Sequence, residues 1–329
     1  MTRSDALTCV HEPYGDAFYY GPERMSSRYE QDEAAREKSG YSEVTYGNVT
    51  DRIMDEVVQN VSEKRVFIKD MAYYIVPPNG DKPSGPASSL AGFSDLASDD
   101  NSSNPTVFPT SLLGQFHWTF LIRHPRKAIP SYYRCTIPPL NKKTGFDYFM
   151  PSEAGYIELR RLFEFLLAKG LIVNDVTEKP ISDAGKIQTE SNPTLDEVRK
   201  NVFKNTPVKV TVVDADDLLD NPEGTLRAFC EDVGLDFSPK MLKWDDEESQ
   251  RTAKEAFEKW NGFHDDAIGS TELKPREHKA KTPTKEEEDN EWKEKYGEEG
   301  QKIIRETVDK NVADYEFLKK FALKPKKPE

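Results

Sequence analysis

The chain has 329 residues, 36% of them apolar, enough to bury a sizeable core as one large domain or two ordinary ones. Its formal net charge of -13 excludes a general nucleic-acid surface or an anionic-membrane patch, since both reward clustered Lys and Arg. Cys9, Cys135 and Cys230 are odd in number and lack CxxC spacing, and no apolar run reaches the roughly eighteen residues of a membrane span, so a reducing, cytoplasmic setting is expected.

In chain order, Leu7 to His11 reads as a short strand that His11-Glu12-Pro13 ends, which leaves two ionisable side chains at a strand exit. An aromatic, turn-rich segment follows, with weak helical character from Met25 to Lys38. Thr50 is placed to cap a helix whose Ile53, Met54, Val57, Val58 and Val61 recur at three- and four-residue spacing. Arg65 to Met71 is the next strand, with Val66, Phe67 and Ile68 buried and Lys69-Asp70 at its exit. Strand, helix and strand in that order imply a parallel pair. Residues 77–109, rich in Pro, Gly, Ser, Asn and Asp, read as a long loop or lid.

Trp118, Phe120, Leu121 and Ile122 form a run expected of a strand covered on both faces, and polarity switches at Arg123. Pro125 suits the first position of the following helix. A helix from about Glu153 to Lys169 stops at Gly170. A second polar insertion, 175–193, leads to a short helix from Thr194 to about Lys204 with Glu197 completing its cap. Val208 to Val213 reads as one strand. A helix beginning at Asn221-Pro222 ends at Gly234, and Glu247 to Trp260 forms another. The loop WNGFHDDAIGS follows, and then a charged, docked tail helix from Lys285 to Lys310.

Arg123 at a strand exit and Ser131 eight residues on, about two turns into the helix, are able together to hold a phosphate through charge-assisted hydrogen bonds. The competing reading pairs Arg123 with a local carboxylate and bonds Ser131 back to its own helix. The runs Phe18-Tyr19-Tyr20 and Tyr73-Tyr74 suit either an apolar acceptor pocket or core packing. His117 and His264 are secondary candidates beside a default of packed histidines. No cluster has metal-ligand spacing, so no metal is expected.

The run FLIRHPRKAIPSYYR resembles the 3'-phosphate-binding segment of PAPS-dependent sulfotransferases, and VDADDLLDNPEGTLRAFCEDVGLDF resembles their later strand-loop-helix. HEPYGDAFYYGPERMSSRYE, FIKDMAYY and WNGFHDDAIGS look more narrowly like a fungal sulfotransferase-like branch. The resemblance covers most of residues 7 to 275. It implies an α/β, three-layer fold of P-loop type with a mostly parallel sheet over 1–275, and a charged helical appendage over 276–329. It also implies that Arg123 and Ser131 bind the 3'-phosphate of PAPS, and that the substrate is a small molecule.

Two departures stand against that pattern. No PRSGS- or PRTGT-like phosphosulfate loop occurs, and Met1 begins about where the family's first helix would end. The first strand is expected to be missing or replaced, and its neighbours' edges to be covered by homodimerisation or by a rearranged N-terminus. The His of the family's Lys-Thr-His run is also absent, since this chain has Lys69-Asp70-Met71. The resemblance then puts the general base at Glu12, with His11 beside it, and Lys69 on the developing charge. Asp70, Tyr73, His117 and His264 would line the substrate pocket. Against this stand a plain Lys69-Asp70 pair and a turn-capping Glu12. A same-fold enzyme that has abandoned PAPS for proton-transfer chemistry (cyclisation, dehydration or isomerisation) is the alternative, and an inactive binding protein is the third reading.

Overall fold

The computed structural model describes residues 3–60, 64–81, 83, 85–94, 101–174, 207–276 and 283–326. The insertion at 175–193 and the helix expected from Thr194 lie outside them. Among the described residues six short strands are formed: β1 (Leu7–His11), β2 (Arg65–Lys69), β3 (Phe120–Ile122), β4 (Ile172–Val173), β5 (Val208–Lys209) and β6 (Val212–Asp214). They join as β1 with β2, β3 with β6 and β4 with β5, and every pair is parallel. The architecture is α/β with short parallel strands. By contact the chain falls into two compact units, Arg3–Trp118 with Ile157–Val210, and Thr119–Tyr156 with Thr211–Glu329.

In the first unit, helix Tyr46–Asn60 packs on β1 and β2 and buries Val49, Ile53 and Met54. It begins a turn earlier than Thr50, because Thr45 and Asn48 cap each other: the Thr45 N-H donates to Asn48 Oδ1 at 3.1 Å, and the Asn48 N-H to Thr45 Oγ1 at 3.1 Å. Thr50 is instead buried inside the helix and donates to the Tyr46 carbonyl at 2.8 Å. Phe67, expected in the core, is 37% exposed, with the exposed Cys9 as its register partner. Side chains alternate across a strand, and only one face of this pair meets the helix.

The described parts of 77–109 are anchored rather than loose. Leu90, Phe93, Val107 and Phe108 are buried, and the Val107 N-H donates to the Ile75 carbonyl at 2.9 Å. Glu23 fastens the segment further, accepting from Ser89 Oγ at 2.6 Å, from Ser88 Oγ at 2.8 Å and from the Ser89 N-H at 2.9 Å. These bonds, set against desolvation, hold its carboxyl below the usual range.

The strand expected from Val208 to Val213 proves to be two, the first part belonging to the first unit and the second part to the second unit. The Val210 N-H donates to the Val173 carbonyl, whereas the Thr211 carbonyl accepts from the Phe120 N-H, so the backbone changes partner between them. Leu121, expected to be covered, is 60% exposed for the same reason as Phe67, while Phe120 and Ile122 are buried. Helix Pro125–Cys135 begins at Pro125, and helix Pro222–Val233 ends at Gly234 in the left-handed region, as the sequence rules require.

Helix Lys285–Lys319 runs nine residues past its expected end. A capping box of Thr284 and Glu287 starts it, and Trp292, Ile304, Val308, Tyr315 and Leu318 are buried along it, with a backbone break at Gly297. Each of the buried aliphatic side chains contributes roughly 1.5–3 kcal/mol. The helix packs on Pro125–Cys135, β3 and β6. Gly300 permits that approach, since a Cβ there would lie 3.0 Å from Tyr133 Oη. Beyond the helix, the Leu323 N-H donates to the Val212 carbonyl at 2.8 Å and Ala322 bridges Val212 in parallel, so the chain itself borders β6. No helix among the described residues is long and apolar enough to cross a membrane.

Candidate functional site

In the first unit, β1 and β2 deliver Glu12 and Lys69 side by side, because His11 and Lys69 are register partners. Glu12 is buried and its backbone sits at φ 46°, the left-handed region that non-glycine residues avoid. Its N-H donates to the Lys69 carbonyl at 2.7 Å, which helps hold the residue there. Lys69 Nζ bonds Glu12 Oε1 directly, Tyr74 Oη donates to Oε2 at 3.3 Å, and His11 Nε2 lies 3.8 Å from Oε1. Burial, with the charges around it, raises the Tyr74 phenol well above its ordinary pKa, so it remains a donor.

Asp70 does not pair with Lys69. Its Oδ2 accepts the Tyr14 N-H at 3.1 Å and its Oδ1 the Met71 N-H at 2.8 Å, so it ties the exit of β2 to the turn that follows Glu12. Withdrawal from water, with the Glu12 charge adding to it, pushes its carboxyl up to about pKa 7, against the two N-H bonds and Lys69. Tyr73 is buried between Phe18 and Tyr74, at ring distances of 5.4 and 4.8 Å. His117 is half-buried in the same unit, between Phe116 and Trp118 in sequence. A surface hollow of about 230 Å³ lined by Pro22, Arg24, Met25, Ser26, Ser27 and Glu30 contains none of the predicted residues.

In the second unit, Arg123 follows β3 directly and is exposed. Its guanidinium makes no hydrogen bond or ion pair with any described residue, so the local-carboxylate pairing is not what the structure shows. Its carbonyl accepts from Tyr156 Oη at 2.6 Å, which fixes the backbone at the strand exit. His124 caps the helix, Nδ1 accepting the Arg126 N-H at 3.2 Å. Partial burial and the Arg126 charge lower its pKa to about 4, against the pull of Asp216 and Asp214, which leaves Nδ1 free to accept. Ser131 is half-buried on that helix, and its hydroxyl bonds no described residue, the helix backbone included. His264 lies in the same unit, before the short helix Asp265–Ile268, with its ring 4.6 Å from Phe257.

The sequence reading did not pick out Asp214, opposite Ile122 at the end of β6. Its carboxylate is buried and accepts from Tyr315 Oη at 2.7 Å, Lys319 Nζ at 3.0 Å and the Asp216 N-H at 2.7 Å. Burial and this bond raise the Tyr315 phenol above its ordinary pKa, and its ring lies 4.7 Å from that of His124. Asp216 next to it bonds Lys127 at 2.5 Å and Arg276 at 2.6 Å; although desolvation raises its pKa, these cations bring it down to about 2. Tyr74 was within reach of sequence reasoning, as the second residue of a flagged aromatic pair. Tyr315, 101 residues from Asp214, offered no local signal.

Chemically, the first cluster is a buried carboxylate on a strained backbone, with a cation, a phenol, an imidazole and a second carboxyl of near-neutral pKa around it, a set suited to proton transfer. The second offers an unengaged guanidinium at a strand exit and an unengaged hydroxyl about two turns into the helix that follows, groups suited to an anion. The chain is similar to Sulfotransferase ppzF of Metarhizium majus (strain ARSEF 297), with 28% identity over 152 residues, covering 46% of this chain and 37% of that protein. This is a distant, sulfotransferase-like relationship. No family model matches the chain, and no solved structure does.

Proposed function

We propose that the protein is a sulfotransferase-like enzyme of P-loop-type fold, transferring a sulfuryl group from PAPS to a hydroxyl of a small organic acceptor. The observation that carries this reading is Arg123, a guanidinium at the exit of a parallel strand with no described partner, followed by a helix on which the Ser131 hydroxyl is equally free. Such a pair suits a terminal phosphate, and the distant likeness to a sulfotransferase agrees with it. PAPS supplies an activated sulfuryl group when bound. Arg123 and Ser131 would hold its 3'-phosphate. Glu12 would take the acceptor's hydroxyl proton as that oxygen bonds to sulfur, with His11 as a second proton carrier. Lys69, released as Glu12 is neutralised, would steady the charge growing on the phosphate oxygen as its bond to sulfur breaks and adenosine 3',5'-bisphosphate forms.

Titration calorimetry with adenosine 3',5'-bisphosphate tests the nucleotide half. Binding weakened about tenfold or more by Arg123→Ala is expected. Binding that is millimolar or weaker and indifferent to that substitution removes the reading. Asp70 favours a second one. A carboxyl of pKa about 7 near Glu12 is also what proton-transfer chemistry without PAPS would use. Turnover of a metabolite that survives Arg123→Ala and Ser131→Ala but not Glu12→Gln would select it.

A further inference from the structure

Glu12 occupies a backbone conformation that its sequence disfavours twice. Its φ is 46°, which a residue with a Cβ avoids, and it precedes Pro13, a position that favours extended backbone. Such a residue persists only where its surroundings over-determine it. The turn Glu12-Pro13-Tyr14 has two N-H groups, since proline has none, and the exit of β2 takes both. The Lys69 carbonyl accepts the Glu12 N-H at 2.7 Å, and Asp70 Oδ2 accepts the Tyr14 N-H at 3.1 Å. Asp70 is itself braced, its Oδ1 accepting the Met71 N-H at 2.8 Å. Tyr14 is buried and anchored at its far end, its Oη 3.0 Å from Thr50 Oγ1 inside helix Tyr46–Asn60 and its ring edge-on to Phe108 at 4.9 Å. With that backbone held, the Glu12 carboxylate meets Lys69 Nζ and the Tyr74 hydroxyl.

We propose that Asp70 is a positioning residue for Glu12: by capturing the Tyr14 N-H, it holds the turn in the conformation that keeps the Glu12 carboxylate on Lys69. The proposal rests on the reading of Glu12 as the proton acceptor, and it assigns Asp70 to the backbone of the site rather than to the substrate pocket. Transfer of a sulfuryl group and proton transfer without PAPS both need that carboxylate in place.

The test reads the Glu12-Lys69 pair without any substrate. Lys69 is partly exposed, so its acylation by N-hydroxysuccinimidyl acetate is followed by mass spectrometry, with the exposed Lys310 as internal reference. A lysine bonded to a carboxylate acylates slowly, and loss of the partner speeds it. Glu12→Ala is expected to raise the Lys69 rate about threefold or more, and Asp70→Ala to do the same. The double variant should be no faster than Glu12→Ala alone, because Asp70 acts through Glu12. A merely structural role predicts instead that the two effects multiply, since general loosening would free Lys69 with or without the carboxylate. If they multiply, or if Asp70→Ala stays within about twofold of the unaltered chain while Glu12→Ala does not, the inference is wrong and the reading of Glu12 as base is untouched. A rate unmoved by Glu12→Ala means that the carboxylate does not hold Lys69, and the inference falls with that pair. Turnover that survives Glu12→Gln removes the base reading alone, since the labelling reports the clamp. Should Asp70→Ala not fold, Asp70→Ser decides, because its shorter side chain keeps a polar group beside the Met71 N-H and gives up the reach to Tyr14: an unchanged Lys69 rate overturns the inference, and a rise of about twofold or more that Glu12→Ala cancels supports it.

Discussion

The two units solve one problem in two ways. Each buries a carboxylate at the exit of a parallel strand pair and attends it with a lysine, a tyrosine and a histidine: Glu12 with Lys69, Tyr74 and His11, and Asp214 with Lys319, Tyr315 and His124 close by. The backbones differ. Glu12 is held at a left-handed φ, whereas Asp214 is extended and serves as an ordinary helix cap for Ala215–Asp220. A strained carboxylate with a partly exposed lysine suits a group that must exchange a proton. A relaxed one wrapped by a long helix suits a structural hub.

The sharpest way to break that contrast is Asp214→Ala. It leaves the Tyr315 hydroxyl and one contact of Lys319 unanswered in the interior, and should cost about 3–5 kcal/mol in urea unfolding. Glu12→Ala should cost less, about 1–3 kcal/mol, because Lys69 reaches water and the left-handed backbone is no worse served, yet it should lower turnover about a hundredfold or more. Equal stability losses at the two sites would erase the distinction.

Acid probes the hub from another side. The pKa of His124 lies below its unfolded value, so the stability it contributes is complete above about pH 6.5 and drains away as pH falls toward about 4. A stability profile from pH 8 to 4 should therefore show a decline that His124→Asn, which keeps a capping acceptor without a titrating ring, reduces. The smallest effect is expected on the open faces of the strand pairs. Leu121→Ser and Phe67→Ser should each stay within about 0.5 kcal/mol, since both side chains already meet solvent.

Local rules made much of this molecule legible. Pro125 at a helix start, Gly234 at a helix stop, and the strands Leu7–His11 and Arg65–Lys69 follow from residue type and spacing, as does the choice of Glu12, Lys69 and Arg123 as strand-exit residues. What escaped depends on partners. Val208 to Val213 has one apolar pattern but two pairing partners, and no periodicity marks where a backbone changes neighbours. Thr50 carries a capping side chain, yet Thr45 and Asn48 form the better cap one turn earlier. The φ of Glu12 arises from the turn between β1 and Tyr14, which Asp70 fastens from 56 residues away. Asp214 looked like one acidic residue among several, because what distinguishes it arrives from the far end of the chain.

That distance has a consequence during synthesis. Tyr315 follows Asp214 by 101 residues, which at about 5–20 residues per second separates the two by roughly 5–20 s on the ribosome. Over that interval β6 has neither its buried counter-charges nor the Ala322–Leu323 segment along its border, so the nascent chain carries a hydrated carboxylate and an open strand edge. Codon choices that slow translation between Asp214 and Tyr315 would lengthen the exposure, and with it the demand on chaperones.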